Sequence, residues 1–236
     1  MIAKDFIDNP DFIIGILQGE KRYELKTLEF NSEGSDFGGT VYNDNLYFTS
    51  SRNNARRNYG WNDEPFLDIY QVSLTLKDED QEPNLLDRNI NTRHHEGTVA
   101  ISPDGNTLYF SRESYFEGEY EKDKTYDNKI SVFYLYKATF NGEKWIDIEP
   151  LTSLNNNNYN VSAPAMSADG KTLYFHSDMP GGSGLFDLYK AAVNDDGTVG
   201  EPQNLGSGIN TEGNDRFPYY SSNGTLYFSR KKNPNT

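Results

Sequence analysis

The phrase Leu-Tyr-Phe occurs four times along the chain, and three arginines and one aspartate stand shortly after its copies. These four residues are the ones best placed to do chemistry. They are Arg52, Arg112, Arg230 and Asp178. If the four copies are equivalent strands, these side chains ring one face of the fold. Such a ring could bind carboxylates or peptide termini through charge-assisted hydrogen bonds. The alternative is that the arginines form salt bridges between neighbouring repeats.

Two long loops beside these arginines extend the candidate face. The loop at 53–65 carries Arg56 and Arg57, and the loop at 113–129 is rich in acids and tyrosines. Variable loops on a rigid scaffold are where binding usually resides. We therefore predict a partner-binding face made of eight residues, namely Arg52, Arg56, Arg57, Arg112, Tyr115, Tyr120, Asp178 and Arg230.

No arrangement typical of catalysis or of a cofactor site is found along the sequence. Gly182-Ser183-Gly184 lacks the Gly-x-Ser-x-Gly frame and the strand-to-helix setting of a nucleophile elbow. His94 and His95 would point to opposite sides of an extended segment, and no second cluster completes a metal site with them or with His176. We expect all three to be surface or loop histidines. The acids lie mostly in loops, without the fixed pair that glycoside hydrolysis needs. The sequence therefore predicts a non-enzymatic protein with no cofactor and no metal.

Two aspartates stand directly before predicted strands and have a structural interpretation. Asp68 and Asp187 are expected to accept hydrogen bonds from loop backbone or to pair with an arginine. The Ser-x-Asp-Gly turns lack the regular acid spacing and terminal glutamate of a calcium loop, so we interpret them as hairpin turns.

The elements that must position these residues repeat along the chain. Leu-Tyr-Phe followed by small polar residues begins at Leu46, Leu108, Leu173 and Leu226, at spacings of 62, 65 and 53 residues. Three copies follow an Asp-Gly or Asn-Gly turn, a strong hairpin signal. The first follows the reduced turn Asn43-Asp44-Asn45. A third strand comes after the phrase at 68–70, 134–137 and 187–190, and a fourth segment follows at 82–85 and 201–205.

Four strands per repeat predict an all-β fold, a β-propeller of four-stranded antiparallel blades. The blades span about 36–90, 97–155 and 162–209, and a fourth unit begins at Phe217 and stops after its second strand at Arg230. Residues 23–30 alternate as an edge strand should. The following residues 31–37 match 210–217 with one residue inserted. Either the N-terminal strands complete the fourth blade and close a four-bladed ring, or the chain is part of a larger propeller. The predicted organisation is an extension at 1–22, a propeller at 23–230 and a polar tail at 231–236.

Composition narrows the function classes. The chain of 236 residues has 36 acids against 22 bases, a net charge of −14, which argues against binding nucleic acid through a basic patch. It has no cysteine, which excludes disulfides and thiol catalysis. The N-terminus shows no secretory signal pattern, and the apolar run at 13–17 is far too short to insert into a membrane.

The segments 102–111, 167–189 and 204–213 give the sequence a family resemblance. They resemble the WD40-like PD40 propeller repeat, known from TolB and, more closely, from multidomain OmpA-family envelope proteins that include a periplasmic component of type IX secretion. The resemblance implies a periplasmic, outer-membrane-associated scaffold whose partner is another envelope protein. In that family peptidoglycan is bound by an OmpA-like domain. That domain, like the tetratricopeptide segment, is absent from this sequence, so peptidoglycan binding transfers to no residue here.

Two other functions stay open at this stage. The first is a glycan-active enzyme, because propellers also serve in that role. The second is a carbohydrate-binding or peptidoglycan-sensing module, which needs no catalytic pair of acids. We expect the protein-binding scaffold instead, because the sequence has only two tryptophans, Trp61 and Trp145, to offer as sugar platforms.

Overall fold

The fold consists of antiparallel sheets that follow one another along the chain. A computed structural model describes residues 24, 26–77, 80–122, 125 and 129–231. Each sheet is a meander in which successive strands pair, so every connection is a hairpin or a longer antiparallel loop. The prediction of an all-β fold built from four-stranded antiparallel blades is confirmed.

Three sheets have four strands and the last has two. The first contains β1 (Asp36–Tyr42), β2 (Asn45–Ser50), β3 (Asp68–Ser73) and β4 (Asn84–Leu85). The second contains β5 (Glu96–Ile101), β6 (Thr107–Glu113), β9 (Phe133–Phe140) and β10 (Trp145–Pro150). Between β6 and β9 lie a 3-10 helix (Ser114–Glu117) and a small hairpin of β7 (Glu121–Lys122) and β8 (Lys129–Ile130). The third contains β11 (Val161–Met166), β12 (Thr172–Ser177), β13 (Asp187–Ala192) and β14 (Gln203–Asn204), and the last pairs β15 (Asn214–Tyr220) with β16 (Leu226–Lys231).

The sheets stack through their inner strands, β1 against β5, β5 against β11 and β11 against β15. The repeated phrase fills the space between them, as its aromatic residues predict. Phe110 and Phe175 are fully buried, and Phe48 is nearly so. In the last sheet Tyr227 is 52% exposed, because no third strand pairs with β16 among the described residues.

The Asp-Gly turns form as expected and serve as structural hairpins. Asp104 accepts hydrogen bonds from the Ser102 hydroxyl and the Asn106 backbone N–H, at 2.5 and 3.1 Å. Gly105 adopts the positive φ of 76° that this turn requires. The same bonds recur around Asp169, so the two turns are equivalent.

Each linker that leaves a four-stranded sheet contains an asparagine, buried at Asn91 and Asn210 and partly buried at Asn155, that holds the third strand of that sheet. Asn91 accepts from the backbone N–H of Ile69 at 2.7 Å and donates to its carbonyl at 2.9 Å. Asn155 bonds Leu135 in the same way, and Asn210 bonds Leu188. The asparagine thus supplies the acceptor for the third-strand N–H and a second donor to its carbonyl, which also accepts from the backbone N–H of Leu86, Leu151 or Leu205.

Two predictions at the ends of the chain need correction. Among residues 24 and 26–30 no strand is present: Asn31 closes a turn onto the Leu28 carbonyl, and Phe30 packs on Phe48 with ring centroids 5.7 Å apart. The aromatic contact with the core outweighs the alternating pattern. Lys231 lies in β16 opposite Asn214 and does not belong to a tail. The predicted extension at 1–22 and the tail residues 232–236 lie outside the described residues.

Candidate functional site

Every inner strand carries a β-bulge at the same place, and the bulge defines the candidate site. Phe37, Gly97, Ser162 and Arg216 each stand opposite the fourth residue of the repeated phrase in their own sheet. Directly after each of them the register shifts, because the inner strand holds one extra residue. A bulge turns a side chain away from the regular pleat, and such bulges are frequent next to functional sites.

The residue after each of these positions has a left-handed backbone. Its φ is 68° at Gly38, 34° at Thr98, 54° at Ala163 and 53° at Phe217. Three of these four residues are not glycine, so the conformation must be held by its surroundings.

The fourth residue of the phrase in the preceding sheet holds each bulge in place. The Thr98 N–H donates to Thr49 Oγ1 at 2.7 Å, and the Ala163 N–H donates to Ser111 Oγ at 3.1 Å. At the next junction the Phe217 N–H donates to His176 Nδ1 at 3.2 Å. The polar residue that ends each Leu-Tyr-Phe phrase therefore fixes the neighbouring sheet, a role that the sequence did not indicate.

These four positions line a cavity of about 390 Å³ to which all four sheets contribute, here called the axial pocket. Its walls combine aromatic rings with a few polar side chains. The lining residues are Phe37, Leu67, Gly97, Thr98, Ser111, Phe133, Asn160, Ser162, His176, Phe186, Arg216 and Phe217.

Arg216 is the only arginine among these lining residues. Its guanidinium carbon lies 3.3 Å from the centroid of the Phe186 ring. Its Nε atom is buried and has no hydrogen-bond partner; no other buried side-chain nitrogen or oxygen of the described residues lacks one. Burial lowers the pKa of Arg216 and the nearby Asp178 charge opposes that shift, yet arginine stays protonated. The pocket therefore contains a cation with an unused donor.

His176 adds a neutral wall to the same pocket. Burial lowers its pKa to about 3, and the Arg216 charge acts in the same direction. Because Nδ1 accepts the Phe217 N–H, the ring proton resides on Nε2. The imidazole packs edge-on against Phe186 and Phe217, at centroid distances of 5.5 and 5.1 Å.

A second cavity of about 640 Å³ lies between the first two sheets, near the hairpin turns at the other end of β5. Its lining includes Tyr42, Gln71, Asn84 and Trp145, and no buried polar side-chain atom of its lining lacks a partner. The axial pocket is therefore the stronger candidate.

The arginines predicted to ring one face are instead paired with acids of their own sheets. Arg52 Nη2 lies 2.8 Å from Asp36, Arg112 Nε 3.1 Å from Glu96, and Arg230 Nε 2.6 Å from Asp215, each acid standing at or near the start of an inner strand. Arg112 is only 1% exposed, so it cannot contact a partner at the surface.

The predicted salt bridging between repeats occurs in a modified form. Arg112 also donates to the carbonyls of Asn89 and Ile90, and Arg230 to that of Ile209, in the linker from the preceding sheet. Each of these two arginines thus ties the acid of its own sheet to the previous linker. Burial raises the pKa of Glu96 to about 7, while the hydrogen bonds from Thr92 and the Arg112 charge act against that rise.

The third sheet breaks this pattern. Val161 stands where the other inner strands have an acid, and Asp178 accepts instead from the backbone N–H and the side-chain amide of Asn160, at 2.6 and 2.9 Å. Asp178 is therefore already engaged at the rim of the axial pocket.

The predicted loop residues separate into paired and open groups. Arg56 makes a two-pronged contact with the buried Asp68, and Arg57 is exposed. Tyr115 and Tyr120 stack at 4.9 Å, with the Lys129 ammonium 5.1 and 4.4 Å from their ring centroids.

The predictions for the aspartates are confirmed. Asp68 pairs with Arg56, and Asp187 accepts from the backbone N–H groups of Ser183 and Gly184. The prediction that the histidines occupy surface or loop positions is wrong for His176, which lies within β12. His94 and His95 lie in the loop before β5 as predicted, but both are buried. Aromatic contacts explain this for His95, which lies 4.5 Å from the Phe66 ring and whose pKa burial lowers to about 4.

Arg216 was missed because the alignment of 31–37 with 210–217 treated one residue as inserted. The strand register shows that no residue is inserted: Asp36 and Asp215 are equivalent, and Arg216 occupies the position of Phe37. An alignment without the gap places Arg216 at the position that Phe37, Gly97 and Ser162 occupy in the other sheets, so it shows one cation at this position.

The described part of the chain contains no helix long and apolar enough to cross a membrane. Within the same residues, no three histidine or acidic side chains converge in a way that could hold a metal ion.

Comparison with known proteins supports the fold but no particular family. The chain is similar to a putative TolB from Agrobacterium tumefaciens, with 16% identity and a TM-score of 0.48 over 80% of this chain and 50% of that one. It is similar to a puromycin hydrolase, with 15% identity and a TM-score of 0.47 over 86% and 37% of the two chains. It is also similar to a thermostable family-43 glycoside hydrolase, with 12% identity and a TM-score of 0.50 over 84% and 66%.

This chain thus spans about half the length of the first of these structures. No protein-family model and no curated protein matches the sequence. At 12% identity and a TM-score of 0.50, the similarity to the glycoside hydrolase shows the β-propeller fold and nothing of activity.

Proposed function

We propose that this protein is a non-catalytic β-propeller that binds another protein of the cell envelope at the face where the axial pocket opens. The observation that carries the proposal is the pocket itself, an aromatic cavity with one cation whose donor has no partner. The periplasmic, outer-membrane-associated location belongs to the same proposal and derives from the sequence resemblance.

The loops around the pocket support a protein partner. The loops between second and third strands end at Leu67 and Phe186 in the first and third sheets and lead directly into Phe133 of β9 in the second, and all three residues line the pocket. Each of these loops also exposes a large apolar side chain, and these are Trp61 (86% exposed), Tyr120 (42%) and Leu185 (58%). Exposed aromatic and apolar residues around a recessed pocket are typical of interface hot spots.

The test compares substitutions of exposed apolar residues in the loops around the pocket with the substitution of an exposed apolar residue at the other end of the blade. The purified protein carrying Trp61→Ser and Tyr120→Ser is used to capture partners from solubilised envelope fractions, alongside wild type and the control Leu76→Ser. Leu76 is exposed in the loop after β3, at the opposite end of the blade. Point substitutions are preferable to loop deletion, because deletion would remove Arg56, which pairs with the buried Asp68.

We expect one envelope protein to be captured by wild type and by the Leu76 control but not by the double variant. The affinity for that purified protein should fall at least about tenfold in the double variant, as for loss of hot-spot side chains. Equal affinity for all three proteins would reject this face. Detection of the native protein in the cytoplasmic fraction alone would reject the envelope location.

A further inference from the structure

We propose that the axial pocket binds the terminal α-carboxylate of an apolar residue, at the C-terminus of a partner chain. This inference rests on the proposed function and names the chemical group that the site recognises.

The first step concerns charge. Arg216 Nε is buried without a partner, and an unsatisfied buried donor on a cation is costly. Asp215 is engaged, because it accepts from Arg230 and from Thr211. Asp178 accepts from Asn160 and acts on Arg216 through its charge alone, without supplying an acceptor to Nε. No acid of the described residues forms an ion pair with Arg216, so an anion from outside would supply the missing acceptor.

The second step concerns geometry. Phe186 covers one face of the Arg216 guanidinium at 3.3 Å, so approach from that side is blocked. A guanidinium presents its hydrogens in its own plane, and a planar carboxylate matches that edge with two parallel hydrogen bonds. Stacking on the ring fixes the plane in advance and lowers the entropy lost on binding.

The third step concerns what accompanies the anion. The rings of Phe37, Phe133, Phe186 and Phe217 come from different strands or loops and line the same pocket as the cation. A volume of about 390 Å³ lies at the low end of the range for ligand pockets, about 300–1,000 Å³. The space suits one apolar side chain and its main chain better than an extended glycan.

The fourth step excludes a more highly charged ligand. The pocket has one cation, its histidine is neutral, and the whole chain carries a charge of −14. A phosphate dianion would leave one charge uncompensated in an apolar site, which is costly. A carboxylate balances Arg216, and a chain end places the carboxylate and an apolar side chain on the same residue.

The full chain is titrated with three peptides, and the binding affinity of each is measured by calorimetry. They are acetyl-Gly-Gly-Phe with a free carboxylate, the same peptide with a C-terminal amide, and acetyl-Gly-Asp-Gly-amide, which offers only a side-chain carboxylate. The variants are Arg216→Gln, Arg216→Lys and the control Arg88→Gln, which removes an exposed arginine of the linker after β4. Thermal melts establish that each variant is folded.

We expect wild type and the Arg88 control to bind the free carboxylate at least about tenfold more tightly than the amide or the aspartate peptide, as for a charge-assisted hydrogen bond. Arg216→Gln should abolish that preference, whereas Arg216→Lys should keep part of it because the charge remains. Equal binding of acid and amide by wild type, or binding of the aspartate peptide as tight as that of the free terminus, would overturn the inference.

Should Arg216→Gln fail to fold, the comparison of acid and amide on wild type and on Arg216→Lys still decides. If no peptide binds while the Trp61 and Tyr120 double variant still loses its partner, the inference fails and the proposed function stands. If the peptide binds at Arg216 but no partner depends on the loop face, the proposed function fails.

Discussion

Replacing Arg112 by methionine should destabilise this fold far more than the same replacement at Arg230. Both arginines pair with an acid of their inner strand, but Arg112 is 1% exposed and the Arg230 side chain 41%. Arg112 also donates to two linker carbonyls and lies 4.4–5.0 Å from the rings of Phe110, Phe116 and Tyr136. Its removal leaves the buried Glu96 without its counter-charge.

The magnitudes follow from the two environments. Breaking a buried pair by removing one partner costs about 3–5 kcal/mol, because the remaining charge is left uncompensated. The Arg230 pair is partly exposed, because the Arg230 side chain is 41% exposed and Asp215 is buried. Asp215 keeps its two hydrogen bonds from Thr211 when Arg230 is lost, so the solvated guanidinium should contribute nearer the value of an exposed pair, about 0.2–1 kcal/mol. We therefore expect Arg112→Met to lower the free energy of unfolding by about 3–5 kcal/mol and Arg230→Met by about 1 kcal/mol. Replacing Glu96 by leucine as well as Arg112 by methionine should recover most of the loss.

Urea unfolding followed by the fluorescence of the buried Trp145 and by circular dichroism measures these differences. The cost of Arg112→Met should also depend on pH. The pKa of Glu96 is raised by burial to about 7 from 4.5, so the protonated form stabilises the fold fully below pH 4.5 and that contribution is lost as pH rises through about 7. Without Arg112 the ionised Glu96 is uncompensated, and the cost should be larger at pH 8 than at pH 5.

The reasoning would be refuted by an Arg112 variant no less stable than the Arg230 variant, or by a double variant less stable than Arg112→Met alone. Either result would mean that Glu96 finds another partner when Arg112 is absent, and that the buried pair does not hold the linker.

Three further predictions concern stability. Asn91→Leu should lower the free energy of unfolding by about 1–3 kcal/mol in urea titrations, because the Ile69 N–H and the Leu86 carbonyl lose the amide, whereas the Ile69 carbonyl keeps the Leu86 N–H; no change would show that water replaces the amide. Asp44→Gly should raise the melting temperature, with a gain of about 0.5–1 kcal/mol, because Asp44 has a φ of 58° in an exposed turn; a lower melting temperature would contradict this. The pKa of His176 is lowered from 6.5 to about 3, so its contribution to stability is complete above pH 6.5 and is lost as pH falls towards 3, by up to about 1.4 kcal/mol per pH unit. Urea titrations of His176→Phe should show a shallower fall than wild type over this range, and an equal slope would assign the acid sensitivity elsewhere.

The sequence predicts strands well where the information is local. Each Leu-Tyr-Phe phrase forms the second strand of its sheet, because aromatic and apolar residues after a tight turn suit a buried strand whatever lies around it. The stretch 23–30 looked equally regular, yet its described residues form no strand. A strand needs a neighbour to pair with, and an alternating pattern does not say whether one is present.

The arginines show a different limit. Their position at the end of the phrase is visible in the sequence, and so is an acid 15 or 16 residues before each one. That spacing becomes meaningful only when the hairpin brings Asp36 beside Arg52 and Asp215 beside Arg230. Without the register, the same residues look like an open ring of charge. The candidate face of loop residues stays a prediction, and Arg57, Tyr120 and Asp178 are exposed members of it.

The axial pocket could not be predicted for a more fundamental reason. It depends on bulges that are stabilised across sheet boundaries. Thr49, Ser111 and His176 each bond a residue that lies between 41 and 52 positions later in the chain. The polar residue after Leu-Tyr-Phe looks like the end of a strand, and its partner belongs to another repeat. Long-range contacts of this kind leave no periodic pattern in either segment.

The same arrangement separates what holds the fold from what the pocket recognises. The bonds that fix the second, third and fourth bulges run from the backbone of one strand to the phrase residue of the preceding sheet. The side chains at the four bulge positions take no part in these bonds, apart from the Ser162 hydroxyl, which donates to Ser111. The bulge positions hold Phe37, Gly97, Ser162 and Arg216, four residues with no chemistry in common at four equivalent positions. Exchanging Arg216 should therefore change the ligand while the bulge and the sheet packing persist, which is the property expected of a binding module built on a repeated scaffold.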